Sequence, residues 1–159
     1  MKRIFLLFIA AWAALGLVSC GGFEDPVLDN SFVYIADSDD DVVYNDKETT
    51  TTLFVTLSTP KTGFDATVEV YYELIPGNGL KEGVDFRIKQ GSESPLKFTT
   101  GNFVVPMKIE WLKNPSFDSS KDNTLKIKLT GSNLAYLQMG NSKLNYKSTF
   151  VFTKKATKN

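Results

Sequence analysis

Between Thr50 and Phe152 apolar and polar residues alternate with a period of two, and turn residues break the pattern at short intervals. Successive side chains of a pleated strand point to opposite faces, so this period marks half-buried β-strands. Ala66–Leu74 sets Val68, Val70, Tyr72 and Leu74 against Glu69, Tyr71 and Glu73. Phe103–Trp111 sets Val105, Met107, Ile109 and Trp111 against Pro106, Lys108 and Glu110, and Leu125–Leu129 alternates with Lys126 and Lys128. Thr50–Leu57 and Tyr146–Phe152 add two more, the last with Phe150 and Phe152 on one side. Thr59–Gly63, Pro76–Gly79, Thr100–Asn102 and Gly131–Asn133 separate them with Gly, Pro and Asn, the residues turns require. No stretch beyond the N-terminal region carries a helical stripe. The expectation is an all-β fold, an immunoglobulin-like antiparallel β-sandwich of about seven strands. Val68, Val70, Tyr72, Ile109, Trp111, Ile127 and Leu129 should lie between its sheets. Pro106 has no N–H to give a ladder, which predicts an edge or a bulge there.

The N-terminus reads differently. Met1-Lys2-Arg3 is a short positive start, and Ile4–Val18 is an uncharged apolar run of 15 residues. That is shorter than the roughly 20 needed to cross a bilayer and suits the core of a signal peptide. Leu17-Val18-Ser19-Cys20 then resembles a bacterial lipobox, in which the cysteine thiol accepts a diacylglycerol and the small neighbours admit the peptidase. The expected organisation is a lipoprotein signal peptide over 1–19, a lipidated Cys20 with a flexible tether over 20–30, a sandwich over 31–153 and a basic tail over 154–159. Acyl chains on Cys20 would hold the domain to a membrane without spanning it. Glu24 and Asp25 follow Cys20 closely and resemble the surface-export signals of Bacteroidota lipoproteins, so the expected place is the outer membrane, lipid-anchored, with exposure at the cell surface as one reading and a solvated acidic linker as the other.

Several chemistries are excluded by residue type. Among 159 residues there is no histidine and one cysteine, so no Ser-His-Asp or Cys-His arrangement, His-ligated zinc or internal disulfide is available. Without the signal the chain carries 16 bases and 18 acids, a net charge of −2. The charge is unevenly placed: residues 20–85 hold 14 acids and 3 lysines, residues 86–159 hold 4 acids and 13 bases. Interleaved strands of opposite sign would attract one another, whereas nucleic-acid binding needs one concentrated basic face. Nucleic acid is therefore not an expected partner.

Four segments together resemble Calx-beta domains. They are Ala66–Leu74 leading through Gly79 to Lys81-Glu82-Gly83-Val84-Asp85-Phe86, then Leu96–Gly101, Phe103–Trp111 and Asn123–Thr130. The likeness covers residues 31–153, and small lipoproteins of the Bacteroidota that carry such domains are the relatives it suggests. It implies an immunoglobulin-like sandwich with a binding or adhesive role and no reaction. It also implies a Ca²⁺ site built from loop acids, which would fall on Asp37, Asp39 and Asp41 after the first strand, on Asp85, and on Asp118. Two departures weigh against that site. The loop Asn114–Asn123 is poor in acids, and Lys154-Lys155 stand where a terminal acidic pair belongs. Asp37-x-Asp39-x-Asp41 also lacks the glycine and late glutamate of an EF-hand. The expectation is a degraded site, at most a weak one, with no cofactor; the alternative is a solvated acidic turn in which Asp85 caps backbone N–H groups.

A sugar-binding sandwich would instead need exposed aromatic platforms. Tyr71 and Phe54 lie out of phase with the core face and are candidates, as is Trp111, although its own phase puts it on the core side. Asp37 and Asp85 are the only carboxylates to suggest for hydrolysis, with no cleft signature to join them, so the chain reads as a non-enzyme. The expected function is a membrane-anchored lipoprotein that presents its sandwich to a glycan or protein partner; a calcium-binding module is the other reading.

Overall fold

The structure, a computed structural model, describes residues 30–36, 41–60 and 66–157. Asp37 and Asp39, and all of the signal and lipobox residues including Leu17, Val18, Ser19 and Cys20, lie outside them. Ten strands form two five-stranded sheets. Sheet 1 holds β1 (Phe32–Ile35), β3 (Thr49–Ser58), β5 (Phe86–Ile88), β7 (Val104–Trp111) and β9 (Gln138–Met139), in the order β5-β7-β3-β1-β9. Sheet 2 holds β2 (Val42–Tyr44), β4 (Val68–Pro76), β6 (Leu96–Phe98), β8 (Thr124–Ser132) and β10 (Thr149–Lys155), in the order β2-β10-β8-β4-β6. β1-β3-β7 facing β4-β8-β10 is the ordering of an immunoglobulin-type sandwich.

The strand count exceeds seven because short edge strands, too brief to show a period, join each sheet. Not every pairing is antiparallel either: β1 runs parallel to β9, and β2 parallel to β10, both at sheet edges. β5 meets β7 only at Ile109–Trp111, so at Pro106 the strand is paired on its β3 side alone. A missing N–H costs nothing there.

The inward phase is the one the alternation predicts. Val68, Val70, Ile109, Trp111, Ile127 and Leu129 are buried. Tyr72 is half-buried, since its ring reaches the sheet margin, where its hydroxyl donates to the Ser92 carbonyl at 2.6 Å. Trp111 joins the two layers, with its ring centroid 6.0 Å from Phe86 and 5.5 Å from Phe152. Its indole N–H donates to Thr51 Oγ1 at 2.9 Å, which removes the cost of burying that group.

The uneven charge resolves in the register. Acidic β4 lies between β6 and β8, with Glu69 opposite Lys97 and Glu73 opposite Lys128. Their charged atoms are 3.7 and 3.6 Å apart on the outer face of sheet 2. On sheet 1 Arg87 of β5 faces and hydrogen-bonds Glu110 of β7.

Candidate functional site

The acids that the Calx-beta likeness singles out meet different fates. Asp85 sits at the end of a tight turn whose backbone folds back on Lys81: the N–H groups of Val84 and Asp85 both donate to the Lys81 carbonyl. In return the Lys81 N–H donates to Asp85 Oδ2 at 2.9 Å. The next residue, Phe86, enters β5 and the core, and this carries the Asp85 side chain inside, where only 3% of it is exposed. A lone carboxylate there would be strongly disfavoured. Lys154 meets it.

Lys154 follows Phe150 and Phe152 on the inward phase of β10, and its side chain is fully buried. The ammonium donates to three oxygens: the Leu112 carbonyl at 2.8 Å, Asp85 Oδ1 at 3.2 Å and the Asp85 carbonyl at 3.3 Å. Three acceptors match the three protons of the group. The Phe117 ring lies 5.4 Å from Nζ, within cation–π range. Burial draws the Lys154 ammonium below the usual lysine range, and the hydrogen bond and charge of Asp85 act in the opposite direction.

The pair anchors a longer polar chain. Asn114 Nδ2 donates to Asp85 Oδ1 at 2.9 Å, and Asn114 and Asn45 exchange two side-chain-to-backbone hydrogen bonds of 2.8 Å. Asp85 leads into sheet 1 and Lys154 belongs to sheet 2, so the pair ties one layer to the other. In a chain without a cysteine pair the core aromatics are therefore joined by an ionic cross-tie as a link between the sheets. It also places Lys154 and Lys155 in the last strand and not in a tail.

The other two calcium candidates among the described residues, Asp118 and Asp41, do not converge on Asp85. Asp118 is exposed and turns its Oδ1 to the N–H and hydroxyl of Ser120 at 3.0 and 2.6 Å, which holds its carboxyl below the ordinary range. Asp41 is exposed and contributes its backbone carbonyl to Thr153. Asn123 Oδ1, the one buried side-chain oxygen among the described residues without a hydrogen-bond partner, packs against Gly79, where even a Cβ would overlap it. Among the described residues no three acids stand close enough together to hold a metal ion. Both oxygens of Asp85 are engaged by protein donors, so among the described residues Asp41, Asp85 and Asp118 do not assemble the six to eight oxygens that Ca²⁺ takes.

The aromatic candidates are separated as well. Trp111 is wholly buried and cannot meet a ligand, because the phase that carries Ile109 inward carries it too. Phe54 (45% exposed) projects from the outer face of sheet 1, and Tyr71 (41%) from the outer face of sheet 2. They lie on opposite sides of the sandwich and cannot share one ligand. Lys154 and Asn114 are absent from the candidates that sequence reasoning selects. The signal for Lys154 was present in the Phe150-x-Phe152-x-Lys154 spacing, which continues the inward phase by two residues. Asn114 and Asn45 carry no comparable mark. No protein-family model matches the chain, and a search among curated proteins finds no match.

Proposed function

We propose that the chain is a non-enzymatic binding module of the bacterial envelope, held to the outer membrane through acylated Cys20 and acting without calcium. One observation supports the calcium-free part of this reading above the others: Asp85, the acid at the centre of the Calx-beta likeness, is buried and paired with Lys154. A fixed ammonium occupies the position of charge that a divalent ion would need to take. The chemistry-bearing carboxylate thus works as a structural tie, and what the domain offers a partner is its surface: strands rich in threonine, exposed rings and neutral polar loops.

The tether is tested by comparing the full-length chain with Cys20→Ser in cells. Palmitate labelling and recovery in the membrane fraction are expected in the first and lost in the second. Equal labelling and partitioning of the two would overturn the anchored reading. For the calcium part, the chelator-treated full-length chain is melted with and without millimolar Ca²⁺. An unchanged melting temperature is expected; an upward shift of several degrees, the size that saturating ligand gives a domain of about this length, overturns it.

A further inference from the structure

We infer that the free edge of β7 at Val104–Lys108 is a latent pairing surface for a second copy of this chain, closed by Asn102, Pro106 and Ser92. A sheet edge offers a row of unpaired N–H and C=O groups to any other strand, and an exposed apolar edge invites it most. Among the described residues β7 has such a stretch. It pairs with β3 from Val104 to Trp111, whereas β5 covers its other side only from Ile109 to Trp111. Phe103 and Val104, where this edge begins, are exposed, and so is Phe54, which stands opposite Pro106. Alternation decides which backbone groups point outwards along it. The Lys108 carbonyl accepts the Lys89 N–H at 3.0 Å on the β5 side, so Val104 and Pro106, in the same phase, also turn their backbone groups away from β3.

At each of these outward positions the N–H is absent or engaged. Pro106 has none. The Lys108 N–H donates to Ser92 Oγ at 2.9 Å, and the Val104 N–H donates to Asn102 Oδ1 at 3.3 Å. Turns fix both acceptors. Ser92 returns its N–H to the Lys89 carbonyl at 3.0 Å, and its own carbonyl accepts the Tyr72 hydroxyl at 2.6 Å. The Asn102 N–H closes on the Thr99 carbonyl at 2.9 Å, across Gly101 at φ +80°. What this edge leaves for a partner is acceptors. A second copy laid antiparallel about Val105 would set Val104 opposite Pro106 and Pro106 opposite Val104, the self-matching contact of a two-fold dimer. Each such pair normally exchanges two N–H···O bonds. Here Pro106 deletes one bond of each pair, and Asn102 already holds the donor of the other. The edge matches itself in register and is denied the donors to use that match.

The test follows protein mass per particle by light scattering for the full-length chain in excess detergent micelles, from dilute to concentrated. The parent is expected to keep the mass of one chain throughout. Pro106→Val restores the missing donor and should give dimers that tighten with concentration. Pro106→Val combined with Asn102→Ala frees all the donors of both pairs and should dimerise at least about tenfold more tightly than Pro106→Val. Valine suits a strand, so Pro106→Val should melt no lower than the parent. If it does melt lower, Asn102→Ala decides, because it frees the Val104 N–H and leaves the strand residues as they are. Amide exchange then locates the contact. The new N–H at position 106 should exchange quickly in dilute chains and become protected in the dimer. A parent that dimerises as tightly as Pro106→Val, variants that stay single at the highest concentration, or dimers that leave that N–H unprotected would each overturn the inference. So would protection in dilute chains, since the edge would then be covered by the chain itself. None of these outcomes bears on Cys20 labelling, so the anchored reading fails or stands on its own experiment.

Discussion

Two sets of ion pairs in this molecule share their chemistry and differ in everything else. Lys154 and Asp85 meet at 3.2 Å between the sheets, with 0% and 3% of their side chains exposed. Glu69–Lys97 and Glu73–Lys128 meet at 3.7 and 3.6 Å on the outer face of sheet 2, each with a lysine more than half exposed. The outer pairs follow from strand register alone: an acidic strand lies between two basic ones, and the facing residues touch. Water screens both charges, so each pair contributes little. The inner pair forms because two charged residues fall on inward-facing positions, and neither can be left without the other. Its separate hydrogen bonds to backbone and Asn114 are as necessary as the charge match, since desolvation otherwise exceeds the Coulomb gain. The difference teaches that a charge buried between the sheets must be met by a partner, whereas charge on the outside only adjusts the pairing of neighbouring strands.

The comparison breaks most directly at Lys154. Lys154→Ala in the full-length chain leaves the Asp85 carboxylate buried without its partner and should cost about 3–5 kcal/mol, measured by urea unfolding. A loss below about 1 kcal/mol would put the pair in the same class as the outer ones. The double change Lys154→Met with Asp85→Leu removes both charges together and should recover a good part of that loss. Recovery will be incomplete, because the Lys81 N–H and the Asn114 amide lose their acceptor.

Tyr72 is an intermediate case and sharpens the contrast. Its half-buried hydroxyl is pushed up to about 12, first by burial and then by the charges of Glu93 and Glu82. In the unfolded chain tyrosine ionises near 10. The folded value is the higher one, so its contribution to stability is complete below pH 10 and is lost as pH rises through 12. Tyr72→Phe should lose about 1 kcal/mol at neutral pH with the hydrogen bond to Ser92. Its stability should then fall less steeply than that of the parent between pH 10 and 12, and the last-ionising tyrosine should vanish from the absorbance titration. A last tyrosine that persists in Tyr72→Phe would assign the shift to another ring.

The smallest effect belongs to the outer face. Glu73→Lys sets like charges opposite each other at Lys128 and should cost no more than about 1 kcal/mol. Molar salt should erase that cost, while the loss in Lys154→Ala should persist, since buried charges are screened much less. Equal salt sensitivity of the two variants would deny the distinction between the regions.

Much of the fold was legible in the residues. The phase that places Val70, Ile109, Trp111 and Ile127 inside is visible in any short window, because the pleat alternates residue by residue. Pro106 announced the unpaired side of its strand. The opposite charges of the two halves announced that acidic and basic strands would be neighbours, as Glu69 and Lys97 are. The aromatic platforms were less readable: exposure of Phe54 and Tyr71 follows from phase, but their separation onto opposite faces depends on which sheet each strand joins.

The sequence by itself determined the strands, their inward faces and the turns between them, since each depends on neighbours a few residues away. It also contained the inward phase of Lys154. Only the tertiary structure decided that Lys154 would meet Asp85, 69 residues earlier, and that Asn114 and Asn45 would complete their hydrogen bonds. It likewise decided that the crossing from β9 to β10 would set Tyr146 against Tyr34 and open a polar cleft beside it. The physical reason is one of range. Alternation reports which side of a strand is apolar, whereas the partners of a buried group are set by how two sheets stack face to face, about 10 Å apart, and by which loops close their ends.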